Sequence, residues 1–291
     1  MKLSEYLAGK SPILLDGAMG TQLAEAGLDM GGQVNLSHPQ QVQDIHRRYA
    51  AAGSHMLITN TLTMNRIYIE THRMELNVRE VNLAGAHLTR AAAQEGQYVL
   101  GDMSSTGQML EPYGSCKETD VFAAFSEQAQ LLIEGGVDGF VVETVFDLRE
   151  ALIALKACRE AAAIPVIVCI AFQTADSEGR TIMGNSAAEC AAALADAGAD
   201  AVGANCGEVA PSAMAAIVGH MREATSLPII AQPNAGVPRL VEGRTTFSMG
   251  PVEFADGIDE CLGAGAGLVG GCCGTAPEHI SQVSRRIGKP N

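Results

Sequence analysis

The chain has 291 residues, 47% of them hydrophobic and 18% charged, which is enough to bury a sizeable core. The formal net charge of −14 and the lack of any lysine- or arginine-rich cluster argue against nucleic acid and against membrane surfaces as partners. No apolar run approaches the roughly 18 residues of a membrane span, and the N-terminus lacks a signal-peptide pattern. We therefore predict a cytoplasmic protein with a single domain over residues 1–291.

Eight short, mostly apolar runs along the chain are typical of β-strands. They are near-continuous apolar runs without strict alternation, which is the pattern of parallel strands covered by helices on their outer face. The runs begin at Ile13, His55, Tyr98, Gly139, Pro165, Ala201, Pro228 and Gly267.

Segments with helical periodicity separate these strands. One is predicted to begin near Pro39 and to end at Gly53, because proline is favoured at the first helical position and glycine at the end. Ser186 followed by Glu189 forms the pattern of a capping box, which predicts the start of another helix. Ser212 is the predicted cap of the next one.

Eight strand–helix units in about 290 residues predict an α/β fold of the (β/α)8 TIM-barrel type, with parallel strands. An open, doubly wound sheet is the alternative, but no G-x-G-x-x-G follows the first strand to favour it. Active sites of (β/α)8 barrels lie at the C-terminal ends of the strands. The residues at those ends are therefore the candidates for function.

Three of the eight cysteines fall at this predicted rim: Cys206 after the sixth strand, and the adjacent pair Cys272 and Cys273 after the eighth. Thiolates are soft ligands, and three of them would leave a fourth tetrahedral position of zinc open for substrate. The glycines around the pair would let the backbone turn so that both thiols reach one ion. Two alternatives remain open, a purely structural pair and a glycine-rich loop that binds phosphate.

The other five cysteines do not cluster in this way. We interpret them as structural residues, since free cysteine is among the residue types most often buried. They are Cys116, Cys158, Cys169, Cys190 and Cys261.

Five motifs together resemble the homocysteine S-methyltransferase family, which includes the homocysteine-binding domain of cobalamin-dependent methionine synthase. They are "DGAMGT" at 16–21, "TNT" at 59–61, "GANC" at 203–206, "PNAG" at 233–236 and "GGCCGT" at 270–275. The resemblance runs from about Leu3 to about Ile287. It implies that Cys206, Cys272 and Cys273 bind one Zn²⁺ per chain, that zinc binds the thiolate of homocysteine, and that a methyl group moves to its sulfur.

Further residues are candidates for holding the substrate. The resemblance supports Glu143 as the partner of the ammonium group, and the position of Asp16 after the first strand suggests the same role. The N–H groups of Ala18 and Met19 could take the carboxylate, and Asn234 is a candidate neighbour of the metal. The alternatives are that Asp16 or Asn234 only shapes its loop and that Glu143 pairs with an arginine.

The methyl donor is predicted from the segment "STGQMLEPYG" at 105–114, which is similar to the loop of family members served by methyl-corrinoids. It departs from that pattern at Ser105, where the loop usually has proline. Because the chain ends at Asn291 without folate or cobalamin domains, the corrinoid is expected on a separate protein and not permanently bound. The alternatives are a small donor such as betaine or S-methylmethionine, a non-catalytic zinc or thiol redox sensor, and a phosphate-binding aldolase or isomerase.

Overall fold

The computed structural model describes residues 1–9, 12–173, 179–207, 209–241 and 244–288. Eight parallel strands form its central sheet, and each lies within one of the runs predicted from the sequence. They are β1 (Ile13–Leu14), β2 (Met56–Ile58), β3 (Tyr98–Met103), β4 (Gly139–Val145), β5 (Val166–Ile170), β6 (Ala201–Asn205), β7 (Ile229–Gln232) and β10 (Leu268–Val269).

The sheet closes on itself. Along the sheet the strands follow the order β1-β10-β7-β6-β5-β4-β3-β2. Strands that follow one another among these eight along the chain are therefore also adjacent in the sheet. A parallel bridge between Leu15 and Met56 joins the two ends, and the N–H of His55 donates to the carbonyl of Leu14 at 2.7 Å. This closure confirms the predicted (β/α)8 barrel and excludes the open sheet.

Helices connect the strands around the outside. In the part of the chain that the structure describes, no helix is both long and apolar enough to cross a membrane. The helices are α1 (Leu3–Leu7), α2 (Met19–Glu25), α3 (Val34–Ser37), α4 (Pro39–Ala51), α5 (Arg66–Thr71), α6 (Val78–Ala92), α7 (Glu118–Glu134), α8 (Leu148–Ala161), α9 (Ala187–Asp196), α10 (Pro211–Ala224), α11 (Pro251–Gly263) and α12 (Pro277–Ile287).

Two of the three predicted helix starts are confirmed. Pro39 is the first residue of α4, and α9 begins with a capping box in which the Ser186 hydroxyl accepts from the Glu189 N–H at 3.2 Å. The prediction for α10 is wrong, because Pro211 occupies its first position and Ser212 lies inside the helix. A proline at that position needs no N–H partner, so the helix begins one residue before the polar side chain.

The strands bury both of their faces. Along β5, Ile167 and Cys169 point into the barrel, whereas Val166, Val168 and Ile170 face the helices. Leu3 and Leu7 of α1 pack against the lower end of this interior. Cys158, Cys169, Cys190 and Cys261 are all buried and unpaired, as expected for structural cysteines, while Cys116 is partly exposed. Because side chains fill the interior of the barrel, a binding site has room only at its upper rim.

A small antiparallel hairpin was not predicted. It consists of β8 (Arg239–Val241) and β9 (Arg244–Thr246), in the loop between β7 and α11. The two strands are only three residues long, and four of their six residues are charged or polar, so they lack the apolar pattern that identifies a buried strand. Their loop follows a barrel strand, which places the hairpin on the same face as the cysteines.

Candidate metal and substrate site

The three predicted metal ligands lie together. The Sγ atoms of Cys206, Cys272 and Cys273 are all within 4.8 Å of one another, and those of Cys206 and Cys273 are 3.9 Å apart. With a Zn–S bond of about 2.3 Å, two sulfurs of a tetrahedral zinc site are about 3.8 Å apart. The spacing of the thiols therefore fits a tetrahedral ion.

A tight turn after β6 presents Cys206. Its φ of +54° lies in the left-handed region, and Gly207 follows with a φ of +68°. A Cβ at Gly207 would lie 2.2 Å from the carbonyl oxygen of Phe172, so only glycine fits there. The side-chain amide of Asn234 donates to the Gly207 carbonyl at 2.8 Å. Asn234 thus holds the turn that carries Cys206, while its own Oδ1 is buried and accepts no hydrogen bond from the described residues.

A second tight turn follows β10 and carries the cysteine pair. The Cys272 N–H donates to the carbonyl of Pro233 at 2.9 Å, and the Thr275 hydroxyl donates to the Cys272 carbonyl at 2.7 Å. Gly274 has a φ of +80° and leaves no room for a side chain beside Phe247. These contacts turn the backbone so that neighbouring thiols, which would point to opposite faces within a strand, reach the same place.

Asn205 connects the metal site with the end of β4. It is fully buried, and its Oδ1 accepts from the backbone N–H of Thr144 at 2.8 Å. Its Nδ2 donates to the Thr144 hydroxyl at 2.8 Å and approaches the sulfur of Cys272 at 3.8 Å. Hydrogen bonds to the groups that bind a metal orient those groups. The sequence analysis did not single out Asn205, although it directly precedes Cys206.

A β-bulge aims Glu143 into the site. Between Val142 and Val145 the register of β4 against β5 shifts by one residue, and Thr144 has a φ of +57°, an unusual value for a β-branched residue. The carboxylate of Glu143 makes no hydrogen bond or ion pair with any described residue, so it does not pair with an arginine there. Burial, with a contribution from Cys206, raises its pKa to about 8.

A cavity of about 350 Å³ opens beside the cysteines. Its wall contains six of the eight residues predicted for the site, namely Ala18, Met19, Glu143, Cys206, Cys272 and Cys273. The loops that follow β1 and β2 supply much of the remaining wall, including Met30, Thr59, Asn60 and Thr63. The cavity is at the lower end of the size range for small-molecule sites. An amino acid of the size of homocysteine fits this space.

The other two predicted residues, Asp16 and Asn234, lie behind this wall. Asp16 is 3% exposed, and one of its carboxylate oxygens accepts from the N–H of Ile58 at 2.9 Å, which joins the ends of β1 and β2. Its other oxygen is buried and has no hydrogen-bond partner in the described chain. Both residues thus make the loop-shaping contacts that the sequence analysis left as alternatives.

The two backbone N–H groups predicted to bind the substrate carboxylate differ in whether they already have a hydrogen-bond partner. The N–H of Ala18 already donates to the Thr275 hydroxyl at 3.0 Å. Met19 is the first residue of α2, where a backbone N–H has no partner within the helix. Of these two N–H groups, that of Met19 is therefore the one without a hydrogen-bond partner among the described residues, and Thr275 positions the turn itself.

Asp102 and Tyr68 are among the wall residues that were not predicted from the sequence. Asp102 stands near the end of β3, and Tyr68 belongs to α5 and stacks on His72 with the ring centroids 3.8 Å apart. Asp102 meets the criterion used for the other candidates, because it is a reactive residue near the C-terminal end of a strand. For Tyr68 no comparable signal exists, because α5 lies in a long connecting loop.

One of the three thiols is already arranged to release a proton, whereas hydrogen bonding within the cluster and burial raise the pKa of Cys206 to about 12 and that of Cys272 well above its usual value. Hydrogen bonds from Cys206 and Cys272 lower the pKa of Cys273 to about 4 because they stabilise its thiolate. A metal site needs its cysteines deprotonated. A thiolate that forms at neutral pH without an ion therefore fits a cation-binding role.

Fold and site together define a (β/α)8 barrel whose upper rim holds a three-thiol metal-binding group beside a cavity of amino-acid size. The profile of the family described as "Homocysteine S-methyltransferase" matches residues 13–287. The chain belongs to the homocysteine S-methyltransferase family, which confirms the predicted family and its class of methyltransferase.

Two curated relatives carry the name methionine synthase. The chain is similar to proteins named methionine synthase from Mycobacterium leprae and from Mycobacterium tuberculosis, each at 31% identity. The matches cover 95% and 94% of this chain but 24% of each relative. The chain thus spans about a quarter of the length of the relatives it matches.

Solved structures share the barrel. The metallated form of the homocysteine methyltransferase MmuM from Escherichia coli superposes with a TM-score of 0.78 at 22% identity, covering 98% of this chain and 99% of that one. The carboxyl transferase domain of pyruvate carboxylase from Rhizobium etli gives a TM-score of 0.55 at 17% identity, over 97% of this chain and 47% of that one. At these identities the similarity supports the fold alone.

Proposed function

We propose that the protein transfers a methyl group to the thiolate of homocysteine and so forms methionine. One Zn²⁺ per chain, held by Cys206, Cys272 and Cys273, is the proposed cofactor. The observation that carries the proposal is the convergence of three thiols at one end of a cavity that also presents Glu143. Three protein ligands leave one tetrahedral position for the sulfur of a substrate.

Zinc bound to three thiolates would supply an electron-rich centre that deprotonates the substrate thiol and keeps its sulfur nucleophilic at neutral pH. The role of this chain is to hold that centre and to aim the substrate. Asn234 fixes the backbone of the turn that carries Cys206, and Asn205 fixes the backbone of Thr144 beside Glu143. The sulfur would then attack the methyl carbon while the bond from that carbon to the donor breaks and its electron pair stays with the donor, so no covalent intermediate on the protein is needed.

The amino-acid end of the substrate has partners within the same cavity. We propose that the ammonium group binds at Glu143, which lacks any other partner in the described chain, with Asp16 contributing its charge from behind the wall. The substrate carboxylate would accept a hydrogen bond from Met19 at the start of α2, and Ala18 belongs to the same turn. Binding at both ends would orient the sulfur toward the cysteines.

The proposed donor is a methyl-corrinoid carried by a separate protein that docks over the barrel mouth. A corrin macrocycle is too large to enter a cavity of about 350 Å³, so such a donor would have to lie across its opening. Exposed apolar side chains project from several loops that follow barrel strands, a feature of interaction surfaces. These side chains are Met30, Met109, Tyr113, Phe146, Ile182, Met183, Val237 and Leu240.

A small donor such as betaine or S-methylmethionine is the second candidate. Sites for such onium ions are commonly cages of several aromatic rings, which attract the cation through their faces. Among the described residues that line the cavity, Tyr68 is the one aromatic residue. This composition favours the corrinoid over an onium donor.

The test measures the zinc content of the purified protein and methionine formation from homocysteine with methylcobalamin, betaine or S-methylmethionine. About one zinc per chain and turnover with methylcobalamin are expected. Alanine at Cys206, Cys272 or Cys273 should abolish tight zinc binding and turnover, whereas Cys116→Ala should change neither. Turnover with a small donor alone would establish the second candidate. Full zinc content in all three rim variants would refute the proposed metal site.

A further inference from the structure

Asp102 is a buried carboxylate without a partner. It lies in β3 next to its last residue, is 4% exposed and lines the cavity. Its Oδ1 is fully buried and accepts no hydrogen bond, and neither carboxylate oxygen is bonded to another residue of the described chain. An unpaired buried carboxylate is costly, so such a group calls for an explanation.

The "TNT" motif holds this residue in place. The Asp102 N–H donates to the hydroxyl of Thr59 at 2.9 Å, and the hydroxyl of Thr61 donates to the Asp102 carbonyl at 2.8 Å. The two threonine hydroxyls are themselves 2.6 Å apart, and both residues are buried. The backbone of Asp102 is therefore fixed on two sides, while its side chain is left to face the cavity. Such a pre-organised side chain is suited to contact a ligand.

Nothing in the cavity wall balances the charge. No lysine, arginine or histidine is among the described residues that line it. Glu143 lies in the same wall and also lacks a partner, and Asp16 lies just behind. Burial, together with the nearby charges of Glu143 and Asp16, raises the pKa of Asp102 well above its usual range. A ligand that brings a positive charge would relieve both the desolvation and the mutual repulsion.

We infer that Asp102 is a specificity-determining residue that contacts the ammonium group of the thiol substrate beside Glu143, so that thiols without an amino group are rejected. The inference rests on the proposed function and adds a residue that the family motifs did not indicate. Rejection has a physical basis, because a thiol without the ammonium group would bury two carboxylates with no counter-charge. A site built around a polar group discriminates strongly against the analogue that lacks it.

The test is calorimetric binding to the zinc-loaded protein of L-homocysteine and of 4-mercaptobutyrate, which has the same chain without the amino group. The wild-type protein should prefer homocysteine by about 100-fold or more. Asp102→Asn keeps the shape of the side chain and removes its charge. It should weaken homocysteine binding by at least about tenfold, or about 1.4 kcal/mol, and leave the Kd of 4-mercaptobutyrate unchanged or lower.

Asp138→Asn is the matched control. Asp138 precedes β4 at the opposite end of the barrel and pairs with Arg90 at 2.6 Å, so its replacement should leave the preference unchanged. Unfolding temperatures check folding, and Asp102→Asn should be no less stable than the wild type because it removes an unpaired buried carboxylate.

The outcomes separate the two proposals. If Asp102→Asn lost affinity for both thiols equally, or for neither of them, the inference would be overturned and the proposed function would remain intact. A wild-type protein that binds neither thiol would refute the proposed function and the inference with it.

Discussion

Glu150 anchors the loop that is proposed to face the methyl donor. This residue of α8 is 3% exposed, and its carboxylate accepts three hydrogen bonds of 2.7 Å, from the N–H and hydroxyl of Thr106 and from the hydroxyl of Ser105. Ser105 stands where the corrinoid-type loop usually has proline, and this bond gives the substitution a structural role. Gly107, which follows Thr106, lies beside Tyr68 of the cavity wall, since a Cβ built on it would be 3.4 Å from the ring of Tyr68.

Replacing Glu150 with alanine should destabilise the protein by about 3 to 5 kcal/mol. Hydrogen bonds to a charged group contribute about 1.5–3 kcal/mol each, but the three bonds share one carboxylate and burial raises the pKa of Glu150 in spite of them, so their effects do not add fully. Glu150→Gln should cost about 1 kcal/mol, because its amide oxygen can still accept from Thr106. The function of the loop predicts a second effect, a higher KM for methylcobalamin with unchanged zinc content and homocysteine affinity.

Urea denaturation gives the stability, and steady-state kinetics gives the separate KM values for donor and acceptor. Glu118→Ala is the control, since Glu118 forms an exposed ion pair with Arg149 and should change stability by less than about 1 kcal/mol. A loss below 1 kcal/mol in Glu150→Ala would refute the energetic reasoning. An equal rise in the KM values for methylcobalamin and for homocysteine would refute the assignment of this loop to the donor side.

Three further predictions test other parts of the molecule. Glu143→Gln should raise the Kd of homocysteine at least about tenfold without loss of zinc, as measured by calorimetry and metal analysis, and loss of the metal would contradict its role. His46 is fully buried on α4, its ring nitrogen is 3.0 Å from the Thr89 hydroxyl, and burial lowers its pKa to about 3. In the unfolded chain the ring of His46 takes up a proton below its ordinary pKa of about 6.5, whereas in the folded protein it stays neutral. Between pH 7 and pH 5 the free energy of unfolding of the wild type should therefore fall by about 2 kcal/mol more than that of His46→Gln, and equal losses in the two proteins would contradict this reasoning. Gly203→Ala should prevent soluble expression at 37 °C, since its Cβ would lie 2.0 Å from the Ile230 carbonyl oxygen; a wild-type unfolding temperature would show that the barrel can yield there.

The sequence by itself was sufficient for the architecture. Eight buried apolar runs at regular intervals leave few arrangements other than a closed parallel barrel, because parallel strands need helical crossovers and covered faces. That architecture then assigns reactive residues after each strand to one rim. Cys206 and the Cys272–Cys273 pair, 66 residues apart in the chain, could therefore be predicted as one cluster from the order of the strands alone.

Only the tertiary structure shows which side chains face the cavity. Whether the carboxylate of Asp16 or of Asp102 reaches the cavity depends on which polar groups already bind it: that of Asp16 accepts from the N–H of Ile58, whereas that of Asp102 has no hydrogen-bond partner among the described residues. Glu143 points into the cavity because of the bulge at Thr144, which a local pattern does not predict. Such features arise from contacts between strands distant in sequence, whereas apolar periodicity records only whether a residue is buried and not which atom it meets.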